Sequence, residues 1–296
     1  MNPSGDGFSA ESRFVVTGAG GAIGTALTPV LRRHAPVVVA SSRPGSDLHL
    51  DLRDASRFDF SLIRAGDVVI HLAAVSSPDA CAADPATARA INLDGTVHFV
   101  RGAVARGARV MVFSSDVVLG ERSDPVDESA ALAPVGVYAS LKADLETQVS
   151  SLEQVRVVRL SYVVSPNDRF LRYLAGCAKR SEFAEVFDPF DRAAILLDDV
   201  VDALTALAVR WPALPGSVVH CGGDRLVSRA QMATAAERGS GGRLRWQVRT
   251  PGADFFRERP RVINFVSPAV AGLLGRAPAD VAAAIESYFE NTSEVD

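Results

Sequence analysis

The sequence is poor in several residue types that mark specialised classes of protein. Its 296 residues include only three cysteines, Cys81, Cys177 and Cys221. Their odd number and wide spacing argue against a disulfide framework and a zinc site, and predict three reduced, partly buried thiols. The net charge is −4 and is spread along the chain. The sequence therefore lacks the basic stripe that a nucleic-acid-binding protein needs.

Long apolar runs are also absent. No apolar run approaches the roughly 18 residues that a membrane span requires. Residues 1–12 are polar and rich in glycine and serine, without an apolar stretch of signal-peptide length. We therefore expect a disordered N-terminal tail and a cytoplasmic protein with no membrane or nucleic-acid partner.

The sequence does contain a regular alternation of short β-branched runs and longer helical segments. Apolar runs at 13–17, 68–72, 110–114 and 155–163 alternate with helical patterns such as 22–34, 84–106 and 137–151. Unbroken apolar strands between helices are typical of a parallel sheet that is covered on both faces. The pattern predicts an α/β fold with a doubly wound parallel sheet (Rossmann) and a smaller C-terminal substrate lobe.

The alternation also suggests how the chain divides. We expect residues 13–165 and 195–222 to form a dinucleotide-binding domain. Residues 166–194 and 223–290 carry more loop signals and mixed helices, and we expect them to form the smaller substrate lobe.

A glycine-rich turn follows the first predicted strand and precedes a helix. Gly18, Gly21 and Gly24 are three residues apart. Glycines at this position permit a tight turn, close backbone approach to a pyrophosphate and close packing of the helix on the strand. The helix N-terminus then offers N–H donors to the phosphates. The cofactor contacts predicted here are Thr17, Gly18, Gly21, Ala22, Ile23 and Gly24.

The end of the second predicted strand indicates which dinucleotide is bound. Ser42 and Arg43 lie about 20 residues beyond the glycines, where an NAD-specific site carries Asp or Glu. Hydroxyls and a guanidinium would accept a 2′-phosphate, so NADP(H) is favoured and NAD(H) is the alternative. The competing interpretation is that Arg43 is a solvated loop residue. Asp51 and Leu52, after the third strand, are expected beside the adenine.

Tyr138 and Lys142 are a candidate catalytic pair. Residues four apart share a helical face, and an ammonium there would lower the pKa of the phenol. The phenol would then serve as a general acid for a carbonyl oxygen, and the Lys142 ammonium would also hold the nicotinamide ribose of the cofactor. The chain has 4 tyrosines but only 2 lysines, so chance rarely produces this spacing. Ser115, at the end of a strand, is placed to polarise the carbonyl; otherwise it caps the next turn.

These motifs together resemble the extended short-chain dehydrogenases/reductases. The matching segments span most of the first 165 residues and are 17–24, 51–52, 71–74, 92–96, 114–115, Tyr138 and Lys142. The resemblance implies a catalytic triad of Ser115, Tyr138 and Lys142. It also implies that Leu72, Ala73 and Ala74 line the cofactor and that Asn92 supports the helix carrying the site.

Within that family the chain is most similar to the dTDP-4-dehydrorhamnose reductase group, which reduces sugar nucleotides. The similar segments are 114–119, 167–200, 222–223 with Ser228, and 259–261. The resemblance implies that Asp116, Val75 and Arg259 contact the substrate. Sugar-nucleotide dehydratases of the family carry an acidic pair at 116–117, but here Glu is replaced by Val117, which favours simple reduction.

Three functions follow from these residues. The first is NAD(P)-dependent reduction of a ketone on a sugar nucleotide or related small molecule. The second is epimerisation of a sugar nucleotide through transient oxidation. The third is a catalytically silent NADP-binding regulatory subunit, against which the intact triad argues. A homodimer is left open as a further partner.

Overall fold

The computed structural model describes residues 12–211, 217–257 and 259–293; residues 1–11 of the expected tail lie outside that range. Its strands are β1 Phe14–Thr17, β2 Val37–Ser41, β3 Leu48–His49, β4 Val68–His71, β5 Arg109–Ser115, β6 Arg122–Val126, β7 Val155–Leu160, β8 Val163–Val164, β9 Phe183–Phe187, β10 Asp191–Arg192, β11 Ile195–Leu196, β12 Val218–Cys221, β13 Val227–Ser228, β14 Arg245–Arg249 and β15 Val262–Phe265. Its α-helices are α1 Ala22–Leu31, α2 Pro78–Ala83, α3 Pro85–Arg89, α4 Thr96–Ala105, α5 Gly136–Val149, α6 Arg169–Arg180, α7 Leu197–Val209, α8 Arg229–Gly239, α9 Ala253–Phe256, α10 Val270–Leu274 and α11 Val281–Ser293.

The main sheet has seven parallel strands in the order β12-β7-β5-β4-β1-β2-β3. Every residue of β1 and β4 is buried, because helices cover both faces of the central strands. The strand order reverses direction between β1 and β4, which is the switch point where ligands bind in such sheets. The predicted doubly wound fold is confirmed.

Two apolar cores hold the helices on this sheet. On one face, α4 and α5 bury Phe99, Val100 and Leu145 against the strands. On the other face, α1, α7 and α10 bury residues that include Leu27 and Leu204. Because β1, β4 and β5 are parallel neighbours, their carboxyl ends lie at the same edge of the sheet.

Smaller sheets lie beyond that edge. One has four strands in the order β13-β10-β15-β6, and two further pairs are β11-β8 and β14-β9. Helices α6, α8 and α11 enclose a third core that includes Leu174, Met232 and Ile285. Strand β6 belongs to the four-stranded sheet although it lies in the first half of the chain, so this sheet joins distant parts of the sequence.

Two local features differ from the sequence prediction. The helical pattern over residues 84–106 is interrupted by a π-helical turn, Ala90–Gly95, between α3 and α4. A Cβ at Gly95 would lie 1.9 Å from the carbonyl oxygen of Leu52, so the glycine permits this contact. The strand predicted over residues 155–163 ends at Leu160, and Ser161 and Tyr162 follow it outside the sheet.

The cysteines lie inside the fold rather than at its surface. Cys81, Cys177 and Cys221 are free and buried, which agrees with the prediction of reduced thiols. Within the described ranges, no helix combines the length and apolar character needed to cross a membrane.

Candidate active site

The glycine turn between β1 and α1 is fixed by backbone contacts. Gly18 has a φ of 67°, and a Cβ there would lie 2.7 Å from the amide nitrogen of Ala73. At Gly24 a Cβ would lie 2.5 Å from the carbonyl oxygen of Gly18. The amide of Gly21 donates a hydrogen bond to that same oxygen at 3.0 Å. Gly18 therefore permits close approach of β4, and Gly24 permits close packing of α1 on the turn.

The exposed side of the turn faces Arg43. A Cβ at Gly20 would meet only that guanidinium, 3.1 Å from its Nη1. The amide of Arg43 donates to the hydroxyl of Ser41 at 3.1 Å, and Ser46 donates to the carbonyl of Arg43 at 2.9 Å. Ser42 is exposed beside it. The loop after β2 thus holds Arg43 over the glycine turn, where NADP carries its 2′-phosphate in such folds.

Asp51 and Leu52 lie after β3, as the sequence indicates, but both have structural partners. Asp51 caps the 3₁₀ helix Leu52–Arg57 by accepting from the amide of Arg53. It also forms an ion pair with the Arg53 side chain at 2.6 Å, which lowers the pKa of Asp51 to about 2. The carbonyl of buried Leu52 packs on Gly95.

A directional chain of hydrogen bonds runs beneath the turn. The amide of Ala73 donates to Thr17 Oγ1 at 3.1 Å, and Thr17 Oγ1 lies 3.1 Å from His71 Nδ1. On the other side of the ring, Nε2 lies 3.1 Å from Thr96 Oγ1, whose hydroxyl donates to the carbonyl of Ile91 at 2.8 Å. Each hydroxyl has one proton, so the chain fixes the neutral Nε2–H tautomer of His71. Burial lowers the pKa of His71 to about 3.

Asn92 fixes the segment that follows β4. Its Oδ1 accepts from the amide of Val75 at 2.8 Å, and its Nδ2 donates to the Val75 carbonyl at 2.9 Å. Nδ2 also lies 3.7 Å from the sulfur of Cys81. From within the π turn, Asn92 therefore binds both the N–H and the C=O of Val75.

Tyr138 and Lys142 lie one turn apart on α5, beside the carboxyl end of β5. Lys142 Nζ donates to the carbonyl oxygen of Phe113 at 2.7 Å and lies 5.9 Å from the centroid of the Tyr138 ring. The hydroxyl of Tyr138 has no hydrogen-bond partner among the residues that the structure describes. Burial lowers the pKa of Lys142 to about 8.

The electrostatics of Tyr138 differ from the expectation. Burial raises the pKa of Tyr138, and the charges of Asp116 and Cys81 add to that rise. The predicted lowering of its pKa by Lys142 is therefore wrong for the protein alone, because desolvation of the phenol outweighs the ammonium. The phenol stays protonated at neutral pH, which is the form that donates a proton.

Ser115 ends β5 and caps the 3₁₀ turn Asp116–Leu119. Its hydroxyl donates to Asp116 Oδ1 at 3.0 Å, and its oxygen accepts from the amide of Val117 at 3.5 Å. The Ser161 hydroxyl donates to Asp116 Oδ2 at 2.9 Å. Asp116 is only 4% exposed, and burial raises its pKa. Ser115 has to turn its O–H away from Asp116 before it can donate to a carbonyl.

Arg192, at the end of β10, faces the same carboxylate. Its Nε lies 3.7 Å from Asp116 Oδ2. Its terminal nitrogens donate to three backbone carbonyls, those of Asp191, Pro260 and Arg261, at 2.8, 2.7 and 3.0 Å. The side chain is buried, and it connects Asp116, which follows β5, to the segment before β15.

The three alternating arginines of that segment have different partners. Arg257 pairs with Asp254 and is largely exposed. Arg261 stacks 4.6 Å from the ring of Phe256. Arg259 is 20% exposed, pairs with Asp79 and stacks 4.9 Å from the ring of Phe255. Each of the three arginines has its own partner, and Arg259 is the one of the three that reaches α2, the helix that follows β4.

Sequence reasoning overlooked three of the contacts at this site. Ser161 and Arg192 hold Asp116 from segments more than 40 residues away. The buried His71 between two threonines was also not predicted. Thr96 lies in a segment that resembles the family, but only the fold reveals that its hydroxyl faces His71.

Comparison with known proteins places this geometry in a family. Residues 12–243 match the model of the RmlD substrate binding domain family. A dTDP-4-dehydrorhamnose reductase of Mycobacterium tuberculosis is 30% identical over 259 residues, which cover 85% of this chain and 83% of that protein.

Solved structures give the same fold at lower identity. MoeE5 in complex with UDP-glucuronic acid and NAD superposes with a TM-score of 0.78 and 21% identity, covering 95% of this chain and 99% of the other. RMD from Pseudomonas aeruginosa complexed with NADPH has a TM-score of 0.74 and 22% identity, covering 95% of this chain and 99% of the other.

Proposed function

The chain belongs to the RmlD substrate binding domain family, within the extended short-chain dehydrogenases/reductases, and we propose that it reduces a ketone of a sugar nucleotide with NADPH. It is an NAD(P)-dependent oxidoreductase by this membership. The observation that carries the proposal is the free, protonated phenol of Tyr138 beside Lys142 at the sheet edge where the glycine turn opens.

The residues around the turn fit a dinucleotide. A Cβ at Gly18 or Gly24 would collide with backbone atoms, whereas a Cβ at Gly20 would meet only the Arg43 side chain. The turn and the start of α1 would hold the pyrophosphate, and Arg43 would bind a 2′-phosphate. The backbone of residues 72–74 would line the cofactor. A reduced nicotinamide supplies hydride when bound.

Three side chains would handle the substrate carbonyl. Tyr138 would donate its proton to the oxygen as charge develops there. Lys142, held by the carbonyl of Phe113, would stabilise the resulting tyrosinate. Ser115 would orient the oxygen once its hydroxyl has rotated away from Asp116.

The same site is poorly suited to eliminating water. Elimination needs a second acid or base near the substrate, and position 117 is valine. The neighbouring carboxylate of Asp116 is buried and already accepts from two serines. Asp116 is therefore better described as support for Ser115 than as a substrate contact.

The test is a measurement of cofactor stoichiometry. The purified chain is mixed with a dTDP-4-keto sugar and with either NADPH or NADH, and absorbance of the reduced cofactor is followed together with the product. We expect one NADPH to be consumed for each ketone reduced. Turnover with no net consumption would indicate an epimerase, and binding of NADPH without turnover of any nucleotide-sugar ketone would favour a regulatory subunit.

A further inference from the structure

The hydroxyl of Ser115 carries one proton, and in the structure that proton is directed at Asp116. The O–H donates to Asp116 Oδ1 at 3.0 Å, while the Ser115 oxygen accepts from the amide of Val117 at 3.5 Å. Asp116 Oδ2 accepts from the Ser161 hydroxyl at 2.9 Å. A serine has a single donor, so it cannot donate to a carboxylate and to a substrate carbonyl at once. In this arrangement Ser115 has no proton to offer the substrate.

Turning the Ser115 hydroxyl toward a substrate is unfavourable while Asp116 is ionised. Asp116 is buried, so water is poorly placed to replace the donor that Oδ1 would lose. The guanidinium of Arg192 is also poorly placed, because its Nε lies 3.7 Å from the other oxygen, Oδ2. The terminal nitrogens of Arg192 already donate to backbone carbonyls. An ionised Asp116 therefore retains the proton of Ser115.

A protonated Asp116 would reverse the direction of that hydrogen bond. A carboxylic acid donates through its own O–H, so a proton on Oδ1 would be donated to the Ser115 oxygen, 3.0 Å away. The Ser115 hydroxyl would then be free to donate to a carbonyl, while Oδ2 would keep its hydrogen bond from Ser161. All three side chains would stay hydrogen-bonded with a substrate in place.

The surroundings of Asp116 favour such a proton. Burial raises its pKa by more than the charge of Arg192 on β10 lowers it. The phenol of Tyr138 on α5 also faces the carboxyl, and the charge of Asp116 raises the pKa of that phenol. Ser161, which follows β7, faces it with a hydroxyl, and β15 packs apolar side chains on the Asp116–Leu119 turn. An uncharged Asp116 would therefore help both Ser115 and Tyr138 to donate.

We propose that Asp116 takes up a proton when a ketone binds, and that this proton turns the Ser115 hydroxyl from Asp116 to the substrate carbonyl. The inference rests on the proposed function and adds a residue that positions one of its donors. The proton on Asp116 is not consumed. The ketone gains one hydride and the proton of Tyr138, and the Asp116 proton returns to solvent when the alcohol leaves. Asp116 is thus a positioning residue that touches no reacting atom.

Calorimetry in buffers of different ionisation enthalpy counts the protons taken up on binding. The wild type, saturated with NADP⁺ so that no hydride can be transferred, is titrated with a dTDP-4-keto sugar and, separately, with dTDP, which has no ketone. Between pH 6 and pH 9, we expect the keto sugar to take up about one proton more than dTDP where the effect is largest. Over that part of the range, its affinity should fall by up to about tenfold for each pH unit.

Two variants assign this proton to Asp116 and link it to Ser115. Asp116→Asn keeps an N–H that can donate to the Ser115 oxygen without titrating, so the extra proton uptake should vanish and the affinity for the keto sugar should become nearly independent of pH. Ser115→Ala has no hydroxyl to turn, so it should also lose the extra uptake. Asp127→Asn is the matched control, because Asp127 is exposed and also accepts from a serine hydroxyl, that of Ser129; it should behave as the wild type does.

Several results would overturn the inference. One is equal proton uptake for the keto sugar and dTDP in the wild type across this pH range. Another is extra uptake that persists in Asp116→Asn or in Ser115→Ala, which would place the proton on another group such as Lys142 or separate it from the serine. If Asp116→Asn does not fold, Ser115→Ala decides.

Turnover with NADPH separates this inference from the proposed function. Reduction of the keto sugar without extra proton uptake on binding removes only the role of Asp116. Uptake that depends on Asp116, without reduction of any nucleotide-sugar ketone, removes only the reductase. A wild type that binds no keto sugar linked to dTDP or UDP removes both.

Discussion

The two sides of the candidate site are built in different ways. On the cofactor side, the close contacts are made by backbone, with Gly18 packed on Ala73 after β4 and Gly24 packed on the glycine turn itself. On the substrate side, Asp116 is held by side chains from separate segments, Ser161 and Arg192. The cofactor side depends on the absence of side chains, and the substrate side depends on their charge and hydrogen bonds.

This difference determines how each side should respond to substitution. A backbone site has little tolerance for added atoms, because close-packed main chain cannot move aside. A side-chain site tolerates changes in shape but is sensitive to the loss of one donor or charge.

Tyr138→Phe should separate chemistry from cofactor binding. Removing the phenolic proton should lower kcat by roughly 10²- to 10⁴-fold, which is the usual contribution of a general acid. The affinity for NADPH should change by no more than about twofold, because Tyr138 lies on α5 and is not part of the glycine turn that would bind the pyrophosphate. Steady-state kinetics and fluorescence titration with NADPH measure the two quantities.

Tyr162→Phe provides the control for that substitution. Its hydroxyl binds Asp168 rather than facing the sheet edge. Its kcat should stay within about threefold of the wild type, since only one hydrogen bond to a helix cap is lost. If both phenylalanine variants retain full turnover, Tyr138 is not the acid.

Gly18→Ala should damage the cofactor side most severely. The residue has a φ of 67°, and its Cβ would come within 2.7 Å of a backbone nitrogen. Left-handed strain and overpacking should lower the free energy of unfolding by about 2–3 kcal/mol. Urea denaturation measures this loss. Gly20→Ala, whose Cβ meets only the Arg43 side chain, should change stability by less than about 0.5 kcal/mol. Similar values for the two variants would contradict a rigid backbone site.

The same division explains what the sequence could predict. Local periodicity and short motifs can be read directly from the sequence. They predict the parallel sheet, the glycine turn and the shared helical face of Tyr138 and Lys142. The hydrogen bond from Ser161 and the ion pair from Arg192 that hold Asp116 were not predictable. Both residues are distant in sequence from Asp116, and only the packing of β7 and β10 brings them close to it. The rise in the pKa of Tyr138 was also missed, since desolvation depends on packing that no spacing reveals.

His71 lies between the two sides and should make stability depend on pH. Its pKa falls from 6.5 to about 3 on folding. The unfolded chain therefore binds the proton more readily, and the stabilisation present above pH 6.5 declines as the pH falls toward 3. Between pH 7 and pH 5 this group should account for a loss of about 2 kcal/mol.

Urea denaturation across that range, in wild type and His71→Asn, isolates the contribution. The variant should show a shallower decline, and His34→Asn, which alters an exposed histidine, should follow the wild type. Lys142 does not interfere, because its pKa of about 8 places its effect at higher pH. Parallel curves for wild type and His71→Asn would mean that His71 is not held neutral.

Arg43 lies at the exposed edge of the cofactor side, so its effect should be the smallest and the most selective. The guanidinium lies over Gly20 at the solvent edge, where water weakens each ionic contact. Arg43→Ala should weaken NADPH binding about tenfold and leave NADH binding unchanged, because only NADPH carries the 2′-phosphate. Titration of both cofactors into both proteins measures the ratio. Equal affinities of the wild type for NADPH and NADH would mean that Arg43 is a solvated loop residue. The glycine turn would then offer a ligand its backbone, in contrast to the side chains that hold Asp116 on the substrate side.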